Sequence, residues 1–156
     1  MAENDELIGI LNEAISLEYL AAIQYNHHSM LLTGQTKLLY EELFKNSAQE
    51  ALGHAKMWGD RIVYLGGAPK AQVAEIRQPK DVNDIAEMLE MALDVEKKAV
   101  EIYSRAHKVC KHEPTLYMLE NQILDEDKDV EELQKLLGKV NIAQAASRDS
   151  KKLHAA

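Results

Sequence analysis

The sequence contains few residues that break or cross-link regular structure. It has one cysteine, three prolines and seven glycines among 156 residues. The lone Cys110 cannot form an internal disulfide, and a thiolate metal site is not expected without further cysteines. With so few prolines and glycines, long uninterrupted helices are the expected outcome. A single free thiol also suits a reducing compartment, so we expect a cytoplasmic protein.

Long apolar runs and an excess of basic residues are also missing. No stretch approaches the roughly 20 apolar residues of a membrane-spanning helix, and the first residues lack the basic region and cleavage site of a signal peptide. The 18 basic residues are outnumbered by 26 acidic ones, which gives a net charge of −8. This surplus argues against nucleic acid and membranes as partners and favours cations.

Apolar residues recur at three- and four-residue steps through four segments, which is the pattern of amphipathic helices. The predicted helices span about residues 4–32, 38–65, 81–111 and 114–138. The connection between the second and third helices can reach about 50 Å, enough to cross the full length of a bundle. We therefore predict an all-α fold, an antiparallel four-helix bundle with one long crossover. The bundle occupies residues 1–138, and residues 139–156 form a polar tail or short helix.

Each predicted helix carries a polar residue in the middle of its apolar stripe. These residues are Glu18, His54, Glu96 and Glu126, with Asp129 one turn beyond Glu126. Because they lie near the midpoints of their helices, we expect their side chains to meet in one layer of the core. Buried carboxylates without partners are costly, so protons or a metal cation must neutralise the cluster. Carboxylates together with an imidazole suit iron, manganese or zinc.

Simpler interpretations of the same residues stay open at this point. A single glutamate on an apolar stripe is often a solvated residue at its edge. His54 could be a hydrogen-bonded core histidine, and Asp129 belongs to an acidic run that could be ordinary surface. Tyr25 and Tyr103 are most simply core aromatics whose hydroxyls need a partner, which a nearby carboxylate supplies.

The motifs around these residues resemble the bacterioferritin branch of the ferritin-like superfamily over roughly residues 5–138. The segments that carry the resemblance are residues 17–25, 53–55, 60–62, 65–69, 93–99 and 125–129. The resemblance implies a ferritin-like bundle that binds one or two iron ions through Glu18, His54, Glu96, Glu126 and Asp129. It also implies storage or detoxification of iron, and ferroxidase activity where the di-iron site is functional. A homo-oligomer, or assembly with another ferritin-like subunit, is the implied quaternary structure.

The chain departs from the family pattern at three positions. Ala51 stands where the second-helix Glu-x-x-His motif has its glutamate, and Glu50 lies one residue early, about 100° round the helix. Asp129 replaces the histidine of the fourth-helix Glu-x-x-His motif. Leu52 falls where bacterioferritins have the methionine that ligates haem, so haem is not expected. These departures support a second hypothesis, a catalytically silent bundle that serves as a structural or partner subunit.

Overall fold

Four α-helices form the fold, as the sequence predicts. In a computed structural model, which describes residues 2–155 and the side chains of residues 4–155, the helices are α1 (Ala2–Leu31), α2 (Gly34–Tyr64), α3 (Ile85–Val109) and α4 (Glu113–Ala155). The described residues contain no strand. Short loops join α1 to α2 and α3 to α4, so each of these pairs runs antiparallel. The one long connection lies between α2 and α3, which confirms the predicted bundle topology.

Each helix directs an apolar stripe toward the interior. Leu11 of α1, Phe44 and Trp58 of α2, Tyr103 of α3 and Leu119 of α4 are all almost fully buried. The rings of Trp58 and Tyr103 lie 5.5 Å apart, centroid to centroid. Burying one large apolar side chain contributes about 1.5–3 kcal/mol. This packing holds the four helices at fixed rotations and determines which polar positions face the centre.

The crossover between α2 and α3 is held against α1. Gly66 adopts a φ of +89°, a left-handed conformation that favours glycine, immediately after α2. The Asn12 side chain then donates to the carbonyl oxygen of Ala68 at 3.3 Å and accepts from the backbone N–H of Lys70 at 2.8 Å. This path returns the chain to the end of the bundle where α3 begins, and Asp84 caps that helix.

The fourth helix is longer than the sequence predicts. Its predicted end at Gly138 is wrong, because α4 continues without interruption to Ala155. One glycine inside a helix costs only about 1 kcal/mol relative to alanine. Val140, two residues further along, packs against the core and helps to continue the helix past the glycine. The division between a bundle and a tail over residues 139–156 stays a prediction.

The last part of α4 extends beyond the other helices. Gln144 joins this part to the start of α3, donating to Oδ1 of Asp84 at 3.3 Å. Residues 145–155 are all exposed. No helix within residues 2–155 has both the length and the apolar character needed to cross a membrane.

Candidate metal centre

The five predicted site residues meet in one layer at the middle of the bundle. Glu18 comes from α1, His54 from α2, Glu96 from α3, and Glu126 and Asp129 from α4. The three glutamates are buried, whereas the histidine and the aspartate are half-buried. All five line a cavity of about 10 Å³, which is about the space of one water-sized sphere. The structure therefore brings the whole set together, and metal binding by these residues stays a prediction.

The possible ligand atoms form two sets of three that share one carboxylate. Glu18, His54 and Glu126 form the first set. In it, Nδ1 of His54 lies 3.4 Å from Oε1 of Glu18 and 3.4 Å from Oε1 of Glu126. Glu96, Glu126 and Asp129 form the second set, which offers oxygen atoms only. Within each set the ligand atoms lie within 4.8 Å of one another, and Glu126 belongs to both sets.

Position 51 faces the cavity but brings no ligand. Ala51 is buried and lines the cavity one helical turn before His54. Glu50 also contributes to the cavity wall, but from an exposed position on α2. Within the two ligand sets, His54 is therefore the one side chain that α2 supplies.

Two buried tyrosines hold the carboxylates of Glu18 and Glu96. The hydroxyl of Tyr103 donates to Oε1 of Glu18 at 2.5 Å, and that of Tyr25 donates to Oε1 of Glu96. Burial raises the pKa of both tyrosines well above its ordinary value, and the neighbouring carboxylates raise it further. The hydroxyls therefore stay protonated and act as donors. The prediction that carboxylates supply their partners is confirmed.

Three carboxyl groups of the cluster, those of Glu126, Asp129 and Glu18, resist ionisation. Burial raises the pKa of Glu126 far above its ordinary value, and the contact with Glu96 and the charge of Glu18 raise it further. Burial also raises the pKa of Asp129 to about 7, with a further contribution from the negative charge of Glu96. The pKa of Glu18 is raised by burial, although His54 partly offsets this. Like charges in a site with little water produce this behaviour.

Little positive charge balances the cluster within the part of the chain that the structure describes. Neither lysine nor arginine lines the cavity. Burial lowers the pKa of His54, but its hydrogen bond to Glu18 and the negative charges around it outweigh that effect and leave the pKa raised. One imidazolium group cannot neutralise four carboxylates. The donor set therefore fits divalent cations, which relieve both the repulsion and the cost of burial.

Gln122, which is absent from the predicted set, joins the cluster from α4. Its Nε2 donates to Oε1 of Glu126 at 2.6 Å and lies 3.1 Å from Nδ1 of His54. Its Oε1 accepts from the indole N–H of Trp58 at 3.2 Å. The available signal in the sequence is spacing, because Gln122 lies four residues before Glu126 and hence on the same face of the helix.

Comparison with known proteins agrees with this architecture. A family model described as a ferritin-like domain matches residues 8–143. The bacterial ferritin of Neisseria gonorrhoeae is 31% identical over 134 residues, covering 85% of this chain and 83% of that protein. The bacterial ferritin of Neisseria meningitidis serogroup B gives the same identity and coverage.

Solved structures show the same fold. A ferritin-like, diiron-carboxylate protein from Bacillus anthracis str. Ames superposes with a TM-score of 0.82 at 30% identity, covering 88% of this chain and 99% of that one. The bacterioferritin of Rhodobacter capsulatus superposes with a TM-score of 0.77 at 26% identity, covering 87% and 86%. Because the family model and these relatives each span most of its length, the chain belongs to the ferritin-like superfamily, in its bacterioferritin branch.

Proposed function

We propose that this chain binds ferrous iron for storage or detoxification, as a bacterioferritin-type protein, and oxidises it when two ions are bound. The observation that carries the proposal is the pair of ligand sets that share Glu126. The relatives include bacterial ferritins and a diiron-carboxylate protein, which supports iron as the cargo. We place the protein in the cytoplasm, where the free and buried Cys110 stays reduced.

Each ligand has a defined part in this proposal. Glu18 and His54 would hold one ion, Glu96 and Asp129 would hold the other, and Glu126 belongs to both ligand sets. The two buried tyrosines each donate to one oxygen of a carboxylate, and each carboxylate keeps further lone pairs for an ion. Such outer hydrogen bonds fix the orientation of ligands and tune their affinity. Manganese and zinc suit the same donor types, so they compete with iron at this site.

The charge of the site suits two divalent cations. When ionised, Glu18, Glu96, Glu126 and Asp129 carry four negative charges, which equals the charge of two ferrous ions with opposite sign. The family pattern reaches the same total with glutamate at position 51 and a neutral histidine at position 129. Asp129 therefore restores the negative charge that Ala51 removes. Burial and repulsion together raise the pKa values of Glu18, Glu126 and Asp129, and bound cations would relieve both effects.

Oxidation requires two ferrous ions close enough to transfer electrons to the same dioxygen molecule. The iron supplies those electrons, and the chain contributes the positions and the exclusion of water. The buried carboxyl groups release their protons when cations bind. Burial raises the pKa of both tyrosines, and their hydroxyls orient Glu18 and Glu96.

Metal content of the full chain tests the proposal. The apo-protein is loaded anaerobically with ferrous iron, desalted and analysed for iron, and we expect up to two ions per chain. Glu126→Gln removes the shared carboxylate and should abolish most of the binding. Glu120→Gln, an exposed change on the same helix, serves as the control and should bind as the parent does. A parent protein without iron after loading would overturn the proposal.

A catalytically silent bundle with a structural role is the second candidate. Ala51 favours it, because the family's second-helix carboxylate is missing. In that case the parent holds no stoichiometric metal. Glu126→Gln then raises the stability of the protein, because it removes a buried acidic group whose pKa is raised by burial.

We also propose that the chain assembles with copies of itself. Ile23 and Leu52 are exposed and line a groove of about 410 Å³ on the surface formed by α1 and α2. Exposed apolar surface of this kind often marks a contact between proteins. Leu52 has no ligand atom, so haem iron has no axial donor from this residue. Light scattering of the parent and of Leu52→Glu tests the assembly, and we expect a smaller particle for the variant.

A further inference from the structure

The amide of Gln122 has one possible orientation. The indole N–H of Trp58 can only donate, so the amide oxygen of Gln122 must face it, at 3.2 Å. The amide nitrogen must then face Glu126 and His54. Trp58 is fully buried and Gln122 is 3% exposed, so water does not compete for these contacts.

The amide nitrogen of Gln122 contacts two atoms that a cation would bind. It donates to Oε1 of Glu126 at 2.6 Å and lies 3.1 Å from Nδ1 of His54. Whichever ring nitrogen of His54 carries a proton, the amide nitrogen lies against Nδ1, so a cation can reach this atom only when the amide moves away. A carboxylate oxygen has further lone pairs, so Glu126 keeps the capacity to bind a cation while it accepts from the amide. The conflict therefore concerns His54.

The amide of Gln122 affects the two ligand sets differently. Nδ1 of His54 belongs to the first set, with Glu18 and Glu126. The second set joins Glu126 to Glu96 and Asp129, neither of which has a hydrogen bond from Gln122 among the described residues. Within the described residues, the amide therefore contacts the nitrogen ligand of the first set and makes no hydrogen bond to Glu96 or Asp129, the two ligands that belong to the second set alone.

We propose that Gln122, held by Trp58, competes with the cation for His54 and makes the two metal positions unequal. The oxygen-only position fills first. The position with the histidine fills only after the Gln122 amide releases Nδ1. This inference rests on the proposed function, since it concerns the same metal centre, and it adds an order of filling and the residue that sets it.

Titration of the full-length apo-protein with zinc chloride tests this order. We expect the parent to show one tight position and a second about tenfold weaker, because the second requires loss of the amide contact. Gln122→Leu removes the N–H at similar volume, and the two affinities should come within about threefold of each other. Gln122→Glu keeps an acceptor for Trp58 and replaces the N–H by an oxygen, so it should also strengthen the second position. Gln24→Leu, at another buried glutamine whose Nε2 has no described partner, should leave both affinities as in the parent.

Trp58 provides a second readout that a purely structural role does not affect. It is the single tryptophan of the chain, and Zn²⁺ has no redox chemistry that would complicate its emission. In the parent, emission should change as the second ion binds, because the hydrogen bond from Trp58 to Gln122 is disturbed. In Gln122→Leu the emission should stay constant through the same titration.

The outcomes separate the inference from the proposed function. A parent that binds no zinc and no iron overturns both. A parent with two ions of equal affinity, unchanged in Gln122→Leu, overturns the order of filling and leaves the metal site intact. Should Gln122→Leu fail to fold, Trp58→Phe releases the amide while keeping a ring beside Tyr103. That variant should narrow the gap between the two affinities, and an unchanged gap overturns the inference.

Discussion

Asp129→Asn isolates the effect of one acidic group on the stability of the metal-free protein. Burial, with added repulsion from Glu96, Glu50 and Glu132, raises the pKa of Asp129 from 3.8 to about 7. The folded protein therefore keeps a proton at pH values where the unfolded chain has already lost it. Asparagine has the same shape and cannot ionise, so the variant should lose this pH dependence.

The sign and size of the effect follow from the shift in pKa. Below pH 3.8 the group is protonated in both states and adds no pH dependence. Between pH 3.8 and about 7, folding takes up a proton, so the free energy of unfolding falls by about 1.4 kcal/mol per pH unit. The whole shift corresponds to about 4 kcal/mol, and the partial exposure of Asp129 reduces this to about 2 kcal/mol. Above about pH 7, Asp129 is ionised in both states and its destabilising effect on the folded protein no longer changes with pH. There Asp129→Asn should be the more stable protein by about 2 kcal/mol.

Urea unfolding monitored by circular dichroism measures this difference. A chelator, a fixed protein concentration and constant ionic strength keep other linked equilibria unchanged. Burial lowers the pKa of His28 to about 4, so between pH 4 and 6.5 this residue makes the free energy of unfolding rise with pH. His28 is present in both proteins, so its effect cancels in the comparison. Asp127→Asn, at an exposed neighbour on α4, is the control and should match the parent. If the free energy of unfolding changes with pH in the same way for the parent and for Asp129→Asn, Asp129 is a solvated, ordinary aspartate and the reasoning is refuted.

Three further predictions concern other parts of the molecule. Ala51→Glu should bind more iron per chain and consume oxygen faster with ferrous iron. The free energy of unfolding of its apo form, measured in urea, should fall by roughly 3 kcal/mol or more, because the new carboxylate is buried without a partner. Unchanged metal content and apo stability would place position 51 outside the site. Tyr103→Phe removes the donor to Glu18 and should destabilise the apo-protein by about 1–3 kcal/mol in the same assay, while a neutral result would mean that water replaces the hydroxyl. A chain that ends at Gln144 should lose helical ellipticity yet keep its unfolding free energy within about 0.5 kcal/mol, since residues 145–155 are exposed, and a larger loss would show that this extension packs on the bundle.

The buried glutamates of the site could be predicted because burial leaves a pattern in the sequence. Glu18, Glu96 and Glu126 each interrupt an otherwise apolar stripe, and a helix buries one stripe against its neighbours. All three lie near the midpoints of their predicted helices, and this shared level distinguishes them from solvated residues at the edge of a stripe. Asp129 has no such signal, because it lies in an acidic run. Its half-buried position depends on how α4 is rotated against the other three helices.

The end of α4 could not be predicted from the local signal of Gly138. Glycine is common after a helix end, where a left-handed conformation is required, but it also occurs inside helices at a modest cost. What decides between the two is the packing of Val140 against the core. That contact comes from the tertiary structure, and the sequence around the glycine does not contain it.

Gln122 shows why the chemistry of the centre needs the assembled bundle. Its spacing from Glu126 is visible in the sequence, and it is compatible with a core position or with the edge of a stripe. The direction of its amide is set by Trp58, 64 positions earlier on another helix, and the atom that it obstructs belongs to His54, 68 positions earlier. No pattern within one helix relates these three side chains. The sequence can therefore identify which residues offer ligands, whereas the availability of each ligand depends on hydrogen bonds that form only when α2 and α4 face each other.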